Sequence, residues 1–143
     1  MVEIINRQRH QKINPKDWRE FGDKALQVIG KEAANATIVF VSESAIKELN
    51  RRFRGKNHPT DVLSFPSAEE PFEIENAAQL GEIIISVPRA AAQAKENGLS
   101  FADEVRQLIL HGLLHLCDYD HETDHGEMNR LELRLRKLLR IDV

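Results

Sequence analysis

Only one cysteine, Cys117, occurs among the 143 residues, so no disulfide can close within the chain, and the sequence fits a reducing compartment. Long apolar runs are missing as well: none approaches the roughly 18 residues that a membrane-spanning helix requires. The opening segment MVEIINRQRH has no apolar core of the kind a signal peptide carries. These absences together lead to the expectation of a cytoplasmic protein with no membrane partner. No segment is low in complexity, internally repeated or tail-like in its charge. A surplus of positive charge is also lacking. The formal net charge of −3 is awkward for a protein that handles nucleic acid, because phosphate binding draws on a positive field. The charges are nevertheless uneven. Arg51, Arg52, Arg54 and Lys56 form one basic cluster and Arg7, Arg9 and Lys12 another, while acids collect at positions 69–75 and 118–127.

What is present suits one ordinary globular domain over residues 1–143. Hydrophobic residues make up 41% of the chain and charged ones 30%, and this length buries a core without staples. Val2 to Gln8 reads as a strand. Asn14 followed by Pro15 predicts a helix to about Gly30, striped by Trp18, Phe21, Ala25, Val28 and Ile29. Ala36 to Val41 is a β-branched strand. Ser42 starts a second helix that turns Ile46, Leu49 and Phe53 inward and stops at Gly55. A short strand over Asp61 to Phe65, a connecting loop over Glu69 to Gln79 and a buried strand over Gly81 to Val87 follow. Pro88 opens an alanine-rich helix ended by Gly98, and Ser100 with Asp103 begins another in the manner of a capping box. Asp124 with Glu127 resembles a further such start, for a final amphipathic helix to about Arg140 whose wet face carries Arg130, Arg134, Lys137 and Arg140. Strands early and helices late predict an α+β fold, a small mixed sheet packed with helices. Patterning does not set the strand order.

The chemistry concentrates in HGLLHLCDYDH, from His111 to His121. Residues i and i+4 share a helix face, so the imidazoles of His111 and His115 can converge on one ion, and His121 follows a break where the chain can fold back over that face. Three such ligands leave a tetrahedral zinc one open position, the arrangement of catalytic rather than structural sites. The spacing also matches the long zincin pattern H-E-x-x-H-x-x-G-x-x-H, with two departures. Gly112 stands where metallopeptidases carry their glutamate base, which disfavours peptide hydrolysis, and Asp118 stands at the turn glycine. Cys117 points to another helix face and reads as a small buried hydrophobe. His125 competes weakly as the third ligand; His58 and His10 have no partner at a recognisable spacing and read as surface residues. Asp120 and Asp61 could orient a ligand histidine, accept a proton or simply cap turns.

Taken with RRFRGKNHPTDVLSFP at Arg51 to Pro66 and LGEIIIS at Leu80 to Ser86, the histidine string resembles the YbeY family of bacterial endoribonucleases and rRNA maturation factors. In that family the run reads H-G-x-L-H-L-x-G-Y-D-H, from which Asp118 departs. The resemblance implies a zincin-like architecture and a zinc-dependent, single-strand-specific endoribonuclease. It further implies action in late small-subunit rRNA 3′-end maturation and ribosome quality control, with rRNA and the small ribosomal subunit as partners. It also places a functionally important arginine in the RGK segment, at Arg54. On chemical grounds a guanidinium there can grip a phosphodiester bidentately and offset transition-state charge, although arginines near a helix C-terminus also simply favour the macrodipole. Arg51, Arg52 and Lys56 read as auxiliary RNA contacts or solvated charges. Two alternatives stay open: a zincin-like hydrolase of another substrate, and a non-catalytic ribosome-assembly factor with a structural metal.

Overall fold

The computed structural model describes residues 1–67, 79–117 and 126–141. Four strands, β1 (Val2–Asn6), β2 (Asn35–Val41), β3 (Val62–Pro66) and β4 (Gln79–Ser86), form one mixed sheet in the order β1-β2-β4-β3. The first three in that order run parallel, and β3 runs antiparallel to β4 as an edge strand. Five helices surround the sheet: α1 (Pro15–Ile29), α2 (Glu43–Arg54), α3 (Val87–Asn97), α4 (Phe101–Leu116) and α5 (Glu127–Leu139). The α+β class expected from the pattern is the observed one.

Two central strands explain the layering. IVFV in β2 and III in β4 are continuous apolar runs, the signature of strands buried on both faces, and they sit side by side with Ile38 opposite Ile83. Alternation then sorts their side chains. Ile38, Phe40, Ile83 and Ile85 join the large core with Trp18 and Leu26 of α1, Ile109 and Leu113 of α4 and Met128 and Leu135 of α5. Val39, Val41 and Ile84 face the other way, where α2 contributes Ile46. The edge strand β3 therefore runs between α2 on one face and α4 on the other.

Gly81 shapes the junction of β4 with its neighbours. The β2–β4 register slips between Asn35 and Ala36, which pair with Gln79 and Gly81, leaving Leu80 as an extra residue. Beyond the slip Gly81 adopts φ +141°, and a Cβ there would run into the Phe65 carbonyl oxygen. Only glycine tolerates both conditions.

Helix caps follow the sequence closely. Asn14, Ser42 and Ser100 each accept a backbone N–H of the first turn they precede, with Asp103 N donating to Ser100 Oγ at 3.1 Å. Other expectations need correction. β1 stops at Asn6 rather than Gln8. Phe53 does not turn inward; it is 61% exposed, because Ile46 and Asn50 take the buried positions of α2 and Phe53 meets the Phe65 ring of the edge strand β3. The final helix starts later than expected: α5 begins at Glu127, after Gly126 in the left-handed region with φ 94°. Asp124 lies outside the described residues, as does most of the expected loop, whose last residue, Gln79, opens β4 instead. The face of α5 carrying Arg130, Arg134, Lys137 and Arg140 is exposed as expected. Among the described residues no helix is long and apolar enough to cross a membrane.

Candidate active site

His111 and His115 stand on the last turns of α4, and their Nε2 atoms lie 2.9 Å apart with the rings edge to face. Two imidazole lone pairs cannot approach that closely without something positive between them, either a shared proton or a metal ion. Two nitrogens on one tetrahedral zinc, each about 2.0–2.1 Å from the ion, stand roughly 3.3 Å apart. The observed spacing is within a few tenths of an ångström of that, so the pair fits a metal chelate. Among the described residues no third metal-ligating side chain joins the pair. His121, Asp118, Asp120 and His125 all lie outside the described residues.

The pair is braced from behind. Glu132 of α5 is only 5% exposed and accepts from His111 Nδ1 at 3.4 Å and from Arg136 Nη2 at 3.0 Å. Burial pushes this carboxyl up, but the hydrogen bond from His111 and the charge and hydrogen bond of Arg136 outweigh burial and hold it below its ordinary value. An ionised carboxylate only accepts, so Nδ1 of His111 carries the proton and Nε2 is directed to the cleft. Sequence reasoning missed Glu132, whose only local signal is an acid on the apolar side of an amphipathic helix.

Gly112 has a packing reason distinct from its chemical one. A Cβ built there would meet three carbons of the buried Ile83 side chain, at 2.9, 3.0 and 3.1 Å. Position 112 thus faces the sheet, and its glycine lets α4 lie close enough on β4 for the two histidines to reach the sheet edge. Cys117, expected to be buried, is half-buried at the C-cap of α4.

The imidazoles open onto a cavity of about 430 Å³ whose opposite wall is the end of α2, the following loop and the free edge of β3. Arg54 and Lys56 line it, and Arg54 Nη2 donates to Ser64 O of β3 at 3.4 Å. His58 is exposed, as expected of a surface residue, and lines the same cavity. Buried Asn50 holds that loop by donating from Nδ2 to His58 O at 2.9 Å, another role the sequence did not reveal. Asp61 does not line the cavity: its carboxylate accepts from Thr60 Oγ1 at 3.2 Å and Val62 N at 2.8 Å, the turn-capping role among those open to it. Arg51 and Arg52 also lie outside the lining, beside Glu48, at 2.6 Å and 3.9 Å.

Among the described residues lining this cavity there are two cations and three imidazoles and no acidic side chain. Arg54 and Lys56 thus place positive charge on the wall opposite His111 and His115. Fold and site define a class: an α+β protein in which a helix-borne histidine pair and a cationic helix end face each other across the edge of a mixed sheet.

Comparison with known proteins gives the family. A family model described as Endoribonuclease YbeY matches residues 3–140. A Geobacter metallireducens protein named Endoribonuclease YbeY is 37% identical over 141 residues, covering 98% of this chain and 94% of its own length. One of the same name from Persephonella marina is 40% identical over 125 residues, covering 87% of this chain and 81% of its own. The solution structure of TM1509 from Thermotoga maritima superposes with a TM-score of 0.67 at 30% identity, over 97% of this chain and 89% of that one. The chain belongs to the YbeY endoribonuclease family.

Proposed function

We propose that this protein is a metal-dependent endoribonuclease that cuts single-stranded RNA in the cleft between α4 and the end of α2. The observation that carries the reading is the convergence of two imidazole nitrogens at 2.9 Å in a pocket lined by Arg54 and Lys56. Two cations facing the histidines suit a phosphodiester, and a pocket open to solvent suits catalysis rather than a sealed structural metal.

His111, His115 and His121 would hold one zinc ion, with His121 assigned from its spacing and from the family resemblance. When bound, the ion supplies a Lewis acid that polarises a phosphoryl oxygen or acidifies water at neutral pH. The protein side chains do the rest. Arg54 grips the phosphodiester through two parallel donors and offsets the charge that grows on its oxygens, while Ser64 O fixes the guanidinium before substrate arrives. Lys56 adds a mobile point charge on the same wall. Glu132 keeps His111 in the tautomer that presents Nε2 to the ion. Arg51 and Arg52, outside the pocket, would touch RNA only along its path away from the cut.

The substrate that the family resemblance suggests is precursor small-subunit rRNA, cleaved in late 3′-end maturation and in ribosome quality control, with the small ribosomal subunit as partner and the cytoplasm as location. Purified protein should cut a single-stranded rRNA fragment, stop when a chelator removes the metal, resume with zinc and leave a duplex of the same sequence intact. Cleavage unaffected by chelator would remove the metal from the reaction. No cleavage by metal-loaded protein would leave a ribosome-assembly factor with a structural metal as the surviving reading.

A further inference from the structure

Phe53 is an expensive side chain to leave in water. It is 61% exposed on the last turn of α2, although one exposed phenylalanine alone says little. Its surroundings say more. The Phe65 ring supports it edge to face, with centroids 5.4 Å apart and planes at 68°, and Phe65 itself packs against the core beneath α2. The exposed ring therefore rests on Phe65 along one edge and leaves a face open to solvent. Its chain neighbours Arg52 and Arg54 are both cations; Arg54 lines the cleft, and Arg52 reaches Glu48 only at 3.9 Å.

Positive charge interleaved with an exposed aromatic face complements one kind of polymer, an anionic backbone that carries flat, unpaired rings. A duplex satisfies the charge but keeps its base faces stacked on each other. We propose that Phe53 is a stacking platform for one nucleobase of a single-stranded RNA leaving the cleft past Arg54. The proposal rests on the endoribonuclease reading and adds to it a residue that helps select single strands. Arg54 holds the phosphate, Phe53 receives a neighbouring base, and Phe65 sets the angle of the platform.

Single-turnover cleavage of a single-stranded RNA fragment by zinc-loaded protein tests this, with the half-saturating protein concentration separated from the rate at saturation. Phe53→Ala should raise the half-saturating concentration by about fivefold to a hundredfold, the range for losing one base–aromatic stack, with the saturated rate, metal content and unfolding midpoint nearly unchanged. Phe53→Trp should bind as wild type does, its indole emission quenched as RNA is added. Phe53→Leu, apolar but without a π-face, should resemble Ala. Wild-type half-saturation for Phe53→Ala, in protein that still cleaves, overturns the platform alone. Full binding by Phe53→Leu overturns stacking in favour of a plain apolar contact. A change of oligomeric state in Phe53→Ala with unchanged half-saturation would make the ring a protein contact instead, and failure of wild-type protein to cleave would overturn the underlying reading as well.

Discussion

The two walls of the cleft are built on opposite principles. On the α4 wall the functional atoms rest on buried structure: the imidazoles ride a helix seated on the sheet through Gly112 and Ile83, and a nearly buried carboxylate stands behind His111. On the α2 wall they hang from exposed backbone, with residues 51–58 all exposed and Arg54 steadied by one bond to a strand carbonyl. Under the proposed function the difference follows from the ligands. A metal ion discriminates by ligand direction, so its donors must be fixed before it arrives. A phosphate chain is long, hydrated and charged, so the groups that meet it must stay open to solvent.

If that contrast holds, damage to the buried wall should remove the cofactor, whereas damage to the exposed wall should leave it bound. The largest effect is expected from the imidazoles. His111→Ala, His115→Ala and His121→Ala should each lower bound metal well below one ion per chain and abolish cleavage, as metal analysis of the purified variants would show. Undiminished metal in His121→Ala would pass the third position to another residue, such as His125. On the other wall, Arg54→Ala should keep metal content and unfolding midpoint while slowing single-turnover cleavage by about a hundredfold or more, the scale for one preorganised charge-stabilising group. Arg54→Lys should fall between, since it restores the charge but not the paired donors. Equal rates for the three proteins would take Arg54 out of the mechanism.

How far each wall was legible in the sequence follows from the range of the interactions that build it. The histidine pair was legible because the i, i+4 relation is local and needs only a helix. The caps at Asn14, Ser42 and Ser100 were legible for the same reason. Glu132 was not: it lies 21 residues from His111, and their meeting depends on how α5 packs against α4. Gly112 could be read only as a missing glutamate, because its reason for being glycine is Ile83, on a strand whose place in the sheet the pattern did not fix. Phe53 was misread because periodicity assigns a face to a helix but cannot say where the sheet beneath it ends. Asn50 was overlooked because polar residues at inward helix positions are rare unless a partner waits, and its partner is the backbone of a loop eight residues away.

A smaller effect should sharpen the contrast. Glu132 touches no substrate and acts through His111, so Glu132→Gln should keep the fold and still bind metal, but about tenfold to a hundredfold more weakly, the usual scale for losing the partner of a metal-bound imidazole. Competition with a chromophoric chelator measures this without any cleavage assay. At saturating zinc the variant should regain most of its rate, whereas Arg54→Ala should regain none. An affinity equal to wild type would mean that Glu132 does not position His111 for the ion.

The smallest effect is expected at Arg51, and it separates proximity in sequence from membership of the site. Arg51 is three residues from Arg54, yet two of its three guanidinium nitrogens already engage Glu48, Nε at 3.0 Å and Nη2 at 2.6 Å, on the exposed side of α2 outside the cavity. The guanidinium hydrogen bond and charge hold the Glu48 carboxyl below its ordinary value, so the pair remains ionised and closed at neutral pH. RNA would have to compete with that carboxylate for Arg51, a contest between two solvent-screened partners with little to gain. Arg51→Ala should therefore weaken half-saturation by no more than about threefold, lose that difference as salt rises, and leave the saturated rate unchanged. Glu48→Gln releases the guanidinium and should tighten half-saturation slightly at low salt. A loss in Arg51→Ala as large as that in Arg54→Ala, and visible in the saturated rate, would bring Arg51 into the cleft and erase the distinction between a residue that the fold aims at the phosphate and one that merely lies beside it in the chain.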